Sequence, residues 1–256
     1  MSVQLEFVGH ACFRLWEDGK PTIAMDPYAH FFLPPYKRTE MPHEGFHLDA
    51  DTVIVSSVTD EAHDHVAMVR GKPRVINALD VATGKAQATI NGEPLVAVAT
   101  GEIPDHPDHI TGRDNAIYAF KAGGLWFAHL GDLGIALSDE ELKPWLNRCD
   151  VMLAITGEKN TIKLDELDPI IEFLKPSWIV PMHYAIPPMG VENLPGGGMT
   201  TVDAFLNHRR GDPVFIPRHH TVSFPLPKSE DGRPTIVVLE PSGYQPTGGL
   251  PEFRSS

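Results

Sequence analysis

Thr52-Val53-Ile54-Val55-Ser56-Ser57 runs directly into Val58-Thr59-Asp60-Glu61-Ala62-His63-Asp64-His65. The first six residues are a short β-branched apolar run of the kind that forms a strand buried on both faces. The last six carry five ionisable side chains, too many for a core segment, so they form a loop at the strand's end. A solvated turn would account for that loop taken alone. Two later stretches argue for a site. Gly131-Asp132-Leu133-Gly134 follows the apolar run LWFAHL (125–130), and Pro181-Met182-His183-Tyr184 completes the run that begins SWIV (177–180). Each sets an Asp or a His at the C-terminal end of an expected strand, where open α/β sheets place their sites. Three such ends can converge on one metal ion.

Composition narrows the field. The chain has 256 residues, 34 acidic against 21 basic side chains, and a formal net charge of −13. That balance opposes the counterion-release binding of polyphosphates, and no Lys/Arg cluster reverses it locally, so nucleic acid is not an expected partner. No apolar run reaches the roughly 18 residues of a membrane span, and no membrane partner is expected. The start, MSVQLEFVGHACFRLW, lacks a basic segment followed by a continuous apolar stretch; the cytoplasm is the expected location. Cys12 and Cys149 lie far apart without a C-x-x-C partner, which suits two small buried hydrophobes better than a disulfide or a thiolate zinc site. The anomaly is histidine, thirteen in all, many beside Asp or Gly in expected loops. That abundance points to metal chemistry.

The pattern predicts one domain over 1–256: a core of about 3–184, C-terminal strands and a helix within 185–240, and a tail at 241–256. VQLEFVG alternates and ACFRLWED follows; Gly19-Lys20 turns the chain, and PTIAMDP ends a third strand at Asp26. Residues 27–50 read as a long loop rich in aromatics and Pro, with Tyr28-Ala29-His30-Phe31-Phe32-Leu33-Pro34-Pro35-Tyr36 as a candidate lid. Short strands are expected near 74–78, 87–91 and 94–100, then a hairpin of NAIYAFKA and LWFAHL around Ala122-Gly123-Gly124. Ser138 and Glu141 stand at capping-box spacing for a helix. Leu164, Leu167, Ile170, Ile171 and Leu174 recur at helical period, and Pro176 ends that helix before the next strand. A short helix near 201–209 and strands near 213–225 and 234–239 complete the chain. Strands first, then alternating strands and helices, predict an α/β fold with two sheets flanked by helices.

Taken together, the early Gly9-His10-Ala11-Cys12-Phe13, the Asp64-His65 loop, Gly131-Asp132 and Pro181-Met182-His183-Tyr184 resemble the motifs of the metallo-β-lactamase fold superfamily, over roughly residues 3–184. Within it the chain is most similar to the branch related to ascorbate-6-phosphate lactonase. The resemblance implies a four-layer αββα sandwich with two mixed sheets, and a divalent ion that activates water for hydrolysis. It also implies ligands. The family's T-H-x-H-x-D-H motif, aligned on Asp64-His65, puts Asp60 and Ala62 where its two earlier histidines belong. Carried over residue by residue, one metal site survives as Asp64, His65, Asp132 and His183. The other is altered, with Glu102 near the position of its third histidine.

Two outcomes follow for the cofactor. Either one ion sits firmly in the surviving site, which is the preferred reading, or Asp60 and Glu102 with His63 or His106 build a harder, oxygen-rich second site suited to Mn²⁺ or Fe rather than Zn²⁺. Asp132 and Asp64 are the catalytic candidates, since a carboxylate beside an activated water can orient it and accept its proton. His129 is expected to support the ligand shell or pack between sheets. His10 borders the site or packs structurally. His106 and His109 fit a solvated loop, and His219-His220 a structural role.

The expected reaction is hydrolysis of an ester, lactone or phosphoester. The aromatic lid and the acidic surface favour a small, neutral, apolar substrate, and a homo-oligomer is compatible with the sequence. The alternatives are a catalytically degenerate binding or scaffold protein and a phosphodiesterase or nuclease. A relic scaffold would have no need to keep Asp64, His65, Asp132 and His183 together, and a nuclease would need a basic groove.

Overall fold

The computed structural model describes residues 2–29, 46–58, 62–102, 113–159, 161–186 and 198–242. The N-terminal half supplies β1 (Val3–Gly9), β2 (Cys12–Glu17), β3 (Lys20–Met25), β4 (Leu48–Asp49), β5 (Thr52–Val55), β6 (Val69–Arg70) and β7 (Arg74–Asn77), followed by helix α1 (Ala78–Ala82). β8 (Thr89–Ile90) and β9 (Glu93–Pro94) form a small hairpin, and β10 (Val96–Thr100), β11 (Asn115–Ala122) and β12 (Leu125–His129) a meander. The C-terminal part alternates: α2 (Asp139–Leu142), β13 (Val151–Ile155), α3 (Leu164–Leu174), β14 (Trp178–Met182), α4 (Val202–His208), β15 (Val214–Phe215), β16 (Thr221–Phe224) and β17 (Thr235–Val237).

Two mixed sheets result, ordered β16-β1-β2-β3-β5-β7 and β10-β11-β12-β13-β14-β17-β15. In the second sheet β10, β11 and β12 run antiparallel, β11 and β12 through a tight turn, whereas β12, β13, β14, β17 and β15 run parallel. Parallel neighbours need crossovers, and α2 and α3 lie in those from β12 to β13 and from β13 to β14. The β11–β12 hairpin turns on Gly123 (φ 57°) and Gly124 (φ 85°), the left-handed pair a two-residue hairpin loop demands. A Cβ on Gly123 would come within 2.8 Å of the Val3 Cβ, so the hairpin tip can lie against β1 only as glycine.

The sheets face one another through aromatic side chains. Phe127 of β12 meets Phe224 of β16 edge-on at 6.1 Å, Trp178 of β14 meets Phe224 at 5.4 Å, and Phe13 of β2 meets His129 at 6.2 Å. One buried cluster runs from Val3 to Leu239 and includes both cysteines, which are free thiols. The segment after 185 is built into both sheets, β16 on the edge of the first and β17 and β15 in the second.

The local expectations hold in the main. Ser138 and Glu141 cap α2 reciprocally, and the five apolar residues of α3 are buried. Lys175 ends α3 in the left-handed conformation before Pro176. The strand near 74–78 is shorter than expected, because Asn77 caps α1 with its side chain and the chain turns helical at Ala78. Among the described residues no helix is long and apolar enough to cross a membrane.

Phe127 is fully buried between the sheets. Its replacement by Ala is expected to cost about 3–5 kcal/mol of unfolding free energy, the usual toll of deleting a core aromatic. Urea unfolding of the metal-free protein measures it; a loss under about 1 kcal/mol would mean that the two sheets do not rely on this contact.

Candidate metal centre

Most polar residues of the site stand at or just beyond the end or the beginning of a strand. His10 sits in the turn between β1 and β2. Asp26 follows β3, Ser56 and His63 follow β5, Asn115 opens β11, His129 closes β12, Gly131 and Asp132 follow it, and His183 follows β14.

Asp26 is buried at the centre. Its Oδ1 accepts the Ser56 amide at 2.9 Å and the Tyr118 hydroxyl at 3.3 Å, and its Oδ2 accepts the Ser56 hydroxyl. His63 Nδ1 lies 3.0 Å from the same Oδ2. A carboxylate can only accept, so the proton of a neutral His63 is on Nδ1 and the lone pair of Nε2 faces away from Asp26. There it meets Asp132, whose Oδ2 is 3.6 Å off. The other oxygen of Asp132 stands 3.5 Å from His183 Nε2. Burial pushes the Asp26 carboxyl up, but His129, His63 and Ser56 outweigh it, and the group is held below the usual carboxylate range.

His10 completes the group. Its ring centre is 4.1 Å from that of His183 and 5.3 Å from that of His63, and one ligand atom from each of the three imidazoles lies within 4.8 Å of the others. Burial, then the neighbouring His183 and His63, pushes His10 well below the ordinary histidine value. Burial and His63 lower His183 to about 3. Both rings are therefore neutral at pH 7, the protonation state that ligates metal.

Two supports fix the frame. His129 receives the Gly131 amide on Nδ1 at 2.9 Å and donates from Nε2 to the Ala11 carbonyl at 2.9 Å, so its tautomer is set, and it holds the turn that presents Asp132. Asn115 Oδ1 accepts the Asp132 amide at 3.1 Å. A Cβ on Gly131 would approach that Oδ1 to 2.6 Å, so this turn accepts only glycine. On the other side, His183 donates its amide to the His10 carbonyl at 2.8 Å, and the His183 carbonyl lies where a Cβ of residue 157 would be, which Gly157 alone permits.

The donors fit a divalent ion. Bonds of about 2.0–2.1 Å in tetrahedral array put ligand atoms roughly 3.3–3.4 Å apart, close to the 3.5 and 3.6 Å from Asp132 to the two imidazoles. His183 Nδ1 is buried with no hydrogen-bond partner among the described residues, a cost that a ligand in the cluster would offset. The Asp26–His63 pair has the carboxylate–histidine arrangement that orients metal-binding imidazoles.

Of the expected quartet, the structure brings two members close to one another. Asp132 and His183 come together, and His63 joins them. Among the described residues the mutually close ligand atoms are those of His10, His63 and His183, and Asp132 adjoins that group at 3.5 and 3.6 Å without belonging to it; Asp64 and His65 are half-buried. The reason is local. Asp26 captures His63, which makes 63 the inward position of the loop, while the His65 amide binds the Pro27 carbonyl and its own carbonyl starts a 3₁₀ turn. Glu102 is buried just beyond β10, its amide on Asp114 Oδ1 at 3.1 Å, and is likewise outside the group. Asp60, His106, His109 and most of the lid segment, from His30 onward, lie outside the described residues. Asp26, Ser56, Tyr118 and Asn115 were not singled out from the sequence. The available signal for Asp26 was an Asp closing an apolar strand, the same signal that marked Asp132.

A family model described as the beta-lactamase superfamily domain matches residues 4–183. The chain belongs to the beta-lactamase superfamily. It is 26% identical over 187 residues to a UPF0173 protein of Pyrococcus furiosus, covering 71% of this chain and 83% of that one. It is 27% identical over 202 residues to the UPF0173 metal-dependent hydrolase of Thermococcus kodakarensis, covering 71% and 84%. A solved structure from Thermotoga maritima, described as a candidate Zn-dependent hydrolase of the metallo-beta-lactamase superfamily, aligns with a TM-score of 0.63 at 25% identity over 93% of this chain and 98% of that one. These relatives support the superfamily and its two-sheet fold; they are not named for the ascorbate-6-phosphate lactonase branch.

Neutral buried imidazoles make stability depend on pH in a definite direction. Unfolded, His10 and His183 titrate near 6.5; folded, they resist protonation, His183 down to about 3. Below about pH 6.5 the unfolded chain binds more protons, so stability falls as pH falls, by about 1 kcal/mol per pH unit or more. Urea midpoints of metal-free protein at pH 7, 6 and 5 should decline stepwise; a flat series would place these rings in water.

Proposed function

We propose that this member of the superfamily is a metal-dependent hydrolase that directs water at an ester, lactone or phosphoester bond of a small, neutral, apolar substrate. The observation that carries the reading is the buried meeting of His10, His63 and His183 with the Asp132 carboxylate. The names of the Thermococcus and Thermotoga relatives point the same way. His10, His63 and His183 with Asp132 would hold a divalent ion, which would supply a Lewis acid and would lower the pKa of bound water from about 15.7 to roughly 7.

The protein's own groups do the rest. Asp132, within reach of two imidazoles, orients the attacking water and takes its proton. Its place is maintained by Asn115 and by the Gly131 turn on His129. Asp26 keeps the His63 ring from rotating. The aromatic stretch from Tyr28 to Tyr36 and the net charge of −13 favour an uncharged, apolar substrate over a polyanion.

Protein purified without chelator should retain close to one equivalent or more of Zn, Mn or Fe and hydrolyse at least one of an aryl ester, a lactone and an aryl phosphate. Chelation should abolish turnover and added metal restore it. Asp132→Asn should lower kcat by about 10²–10⁴-fold with the fold retained by circular dichroism. Metal-free wild type, or no hydrolysis across the three classes, would remove the reading. For the substrate, removal of residues 31–36 should raise KM for a long-chain lactone more than for a short-chain one; equal effects would dismiss the apolar lid.

A further inference from the structure

The loop after β5 brings one imidazole to the centre, His63, and the motif positions 60 and 62 carry Asp and Ala. A second imidazole arrives from elsewhere. His10 belongs to the turn between β1 and β2, far from that loop in sequence, yet its ligand atom falls within 4.8 Å of those of His63 and His183. We propose that His10 is a direct metal ligand, so that the ion is held by three imidazoles, His10, His63 and His183, with Asp132 facing two of them.

The inference rests on the metal-dependent reading above and says which atoms do the holding. His10 is held where a ligand must be. Its backbone is left-handed at φ 53°, as is that of His183 at φ 53°, a conformation costly for residues other than glycine that persists only where surroundings enforce it. The two are joined directly: the His183 amide donates to the His10 carbonyl at 2.8 Å, which ties together the turns carrying the two rings. His10 is buried, and its ring is 5.8 Å from that of Tyr28.

The donor chemistry then sets the metal. Three imidazole nitrogens suit Zn²⁺ and Co²⁺, whereas Mn²⁺ selects oxygen-rich shells. An oxygen-rich site built on Asp60 and Glu102 is not required to hold the first ion.

Zinc affinity of the metal-free, full-length protein, measured by competition with a chromogenic chelator, separates the assignments. His10→Asn keeps a residue that tolerates the left-handed backbone and removes the imidazole. It should weaken zinc binding by more than the roughly 10–100-fold that loss of an outer partner costs, and it should change the visible absorption of the Co²⁺-loaded protein. Asp26→Asn should fall inside that 10–100-fold range, and His65→Ala should change affinity by less than about threefold. Zinc X-ray absorption of the His65→Ala protein should count three imidazoles, which decides the matter even if His10→Asn does not fold. His10→Asn binding zinc as wild type does, or fewer than three imidazoles, would overturn the assignment while leaving a metal-dependent hydrolase standing. A wild type without affinity for any divalent ion would overturn both.

Discussion

A buried carboxylate is costly unless its lone pairs are taken, and the arrangement of this molecule's functional rim follows from how Asp26 meets that requirement. Its partners come from both sheets. Ser56 closes β5 in the first sheet, Tyr118 belongs to β11 in the second, and His63 reaches in from the loop between them. His129, at the end of β12, stands 3.9 Å away. One anion thus ties the two layers together at the end where the chemistry sits. Because an ionised carboxylate accepts and never donates, it also dictates which nitrogen of His63 carries the proton and which faces Asp132.

Around that anchor the backbone is unusually constrained. His10, Asp26 and His183 all have positive φ, at 53°, 43° and 53°. Each such residue costs of order 1 kcal/mol or more, and strain held at a site fits one whose geometry matters more than its contribution to stability. The sandwich can sustain it because its core is continuous: both sheets share a buried apolar cluster, and the strained residues are the first ones beyond it. Gly157 and Gly131 give the same constraint in another form, since at each a side chain would collide with the residues that position His183 or Asp132. The result is a set of rings and a carboxylate held in place by backbone and side-chain hydrogen bonds, an arrangement that limits the reorganisation binding requires.

The candidate site was legible in the sequence where it depends on position along a strand. Asp132 and His183 follow apolar runs, and a residue just past the C-terminal end of a parallel strand points into the crevice whatever the details of packing. The same logic located the 60–65 loop and gave five ionisable residues there without choosing among them. Choosing needed a partner outside the loop. His63 turns inward because Asp26 receives its Nδ1–H, and Asp26 itself reads in sequence as an ordinary strand terminus. His10 was open between a border position and a packing role, since nothing local shows that the β1–β2 turn and the end of β14 share a hydrogen bond.

By itself the sequence determined the two-part order of strands and crossover helices, the strand and helix boundaries within a few residues, the buried cysteines, and the concentration of His and Asp at strand ends; these follow from hydrophobic periodicity, capping and turn residues, which act over a few positions along the chain. Only the tertiary structure decided which imidazoles meet. Ring-to-ring and ring-to-carboxylate distances depend on how two sheets stack and how left-handed turns aim their side chains. Those are set by contacts between residues 92 or more positions apart, as between Asp26 and Tyr118 or His10 and His183, and no local pattern in the chain encodes them.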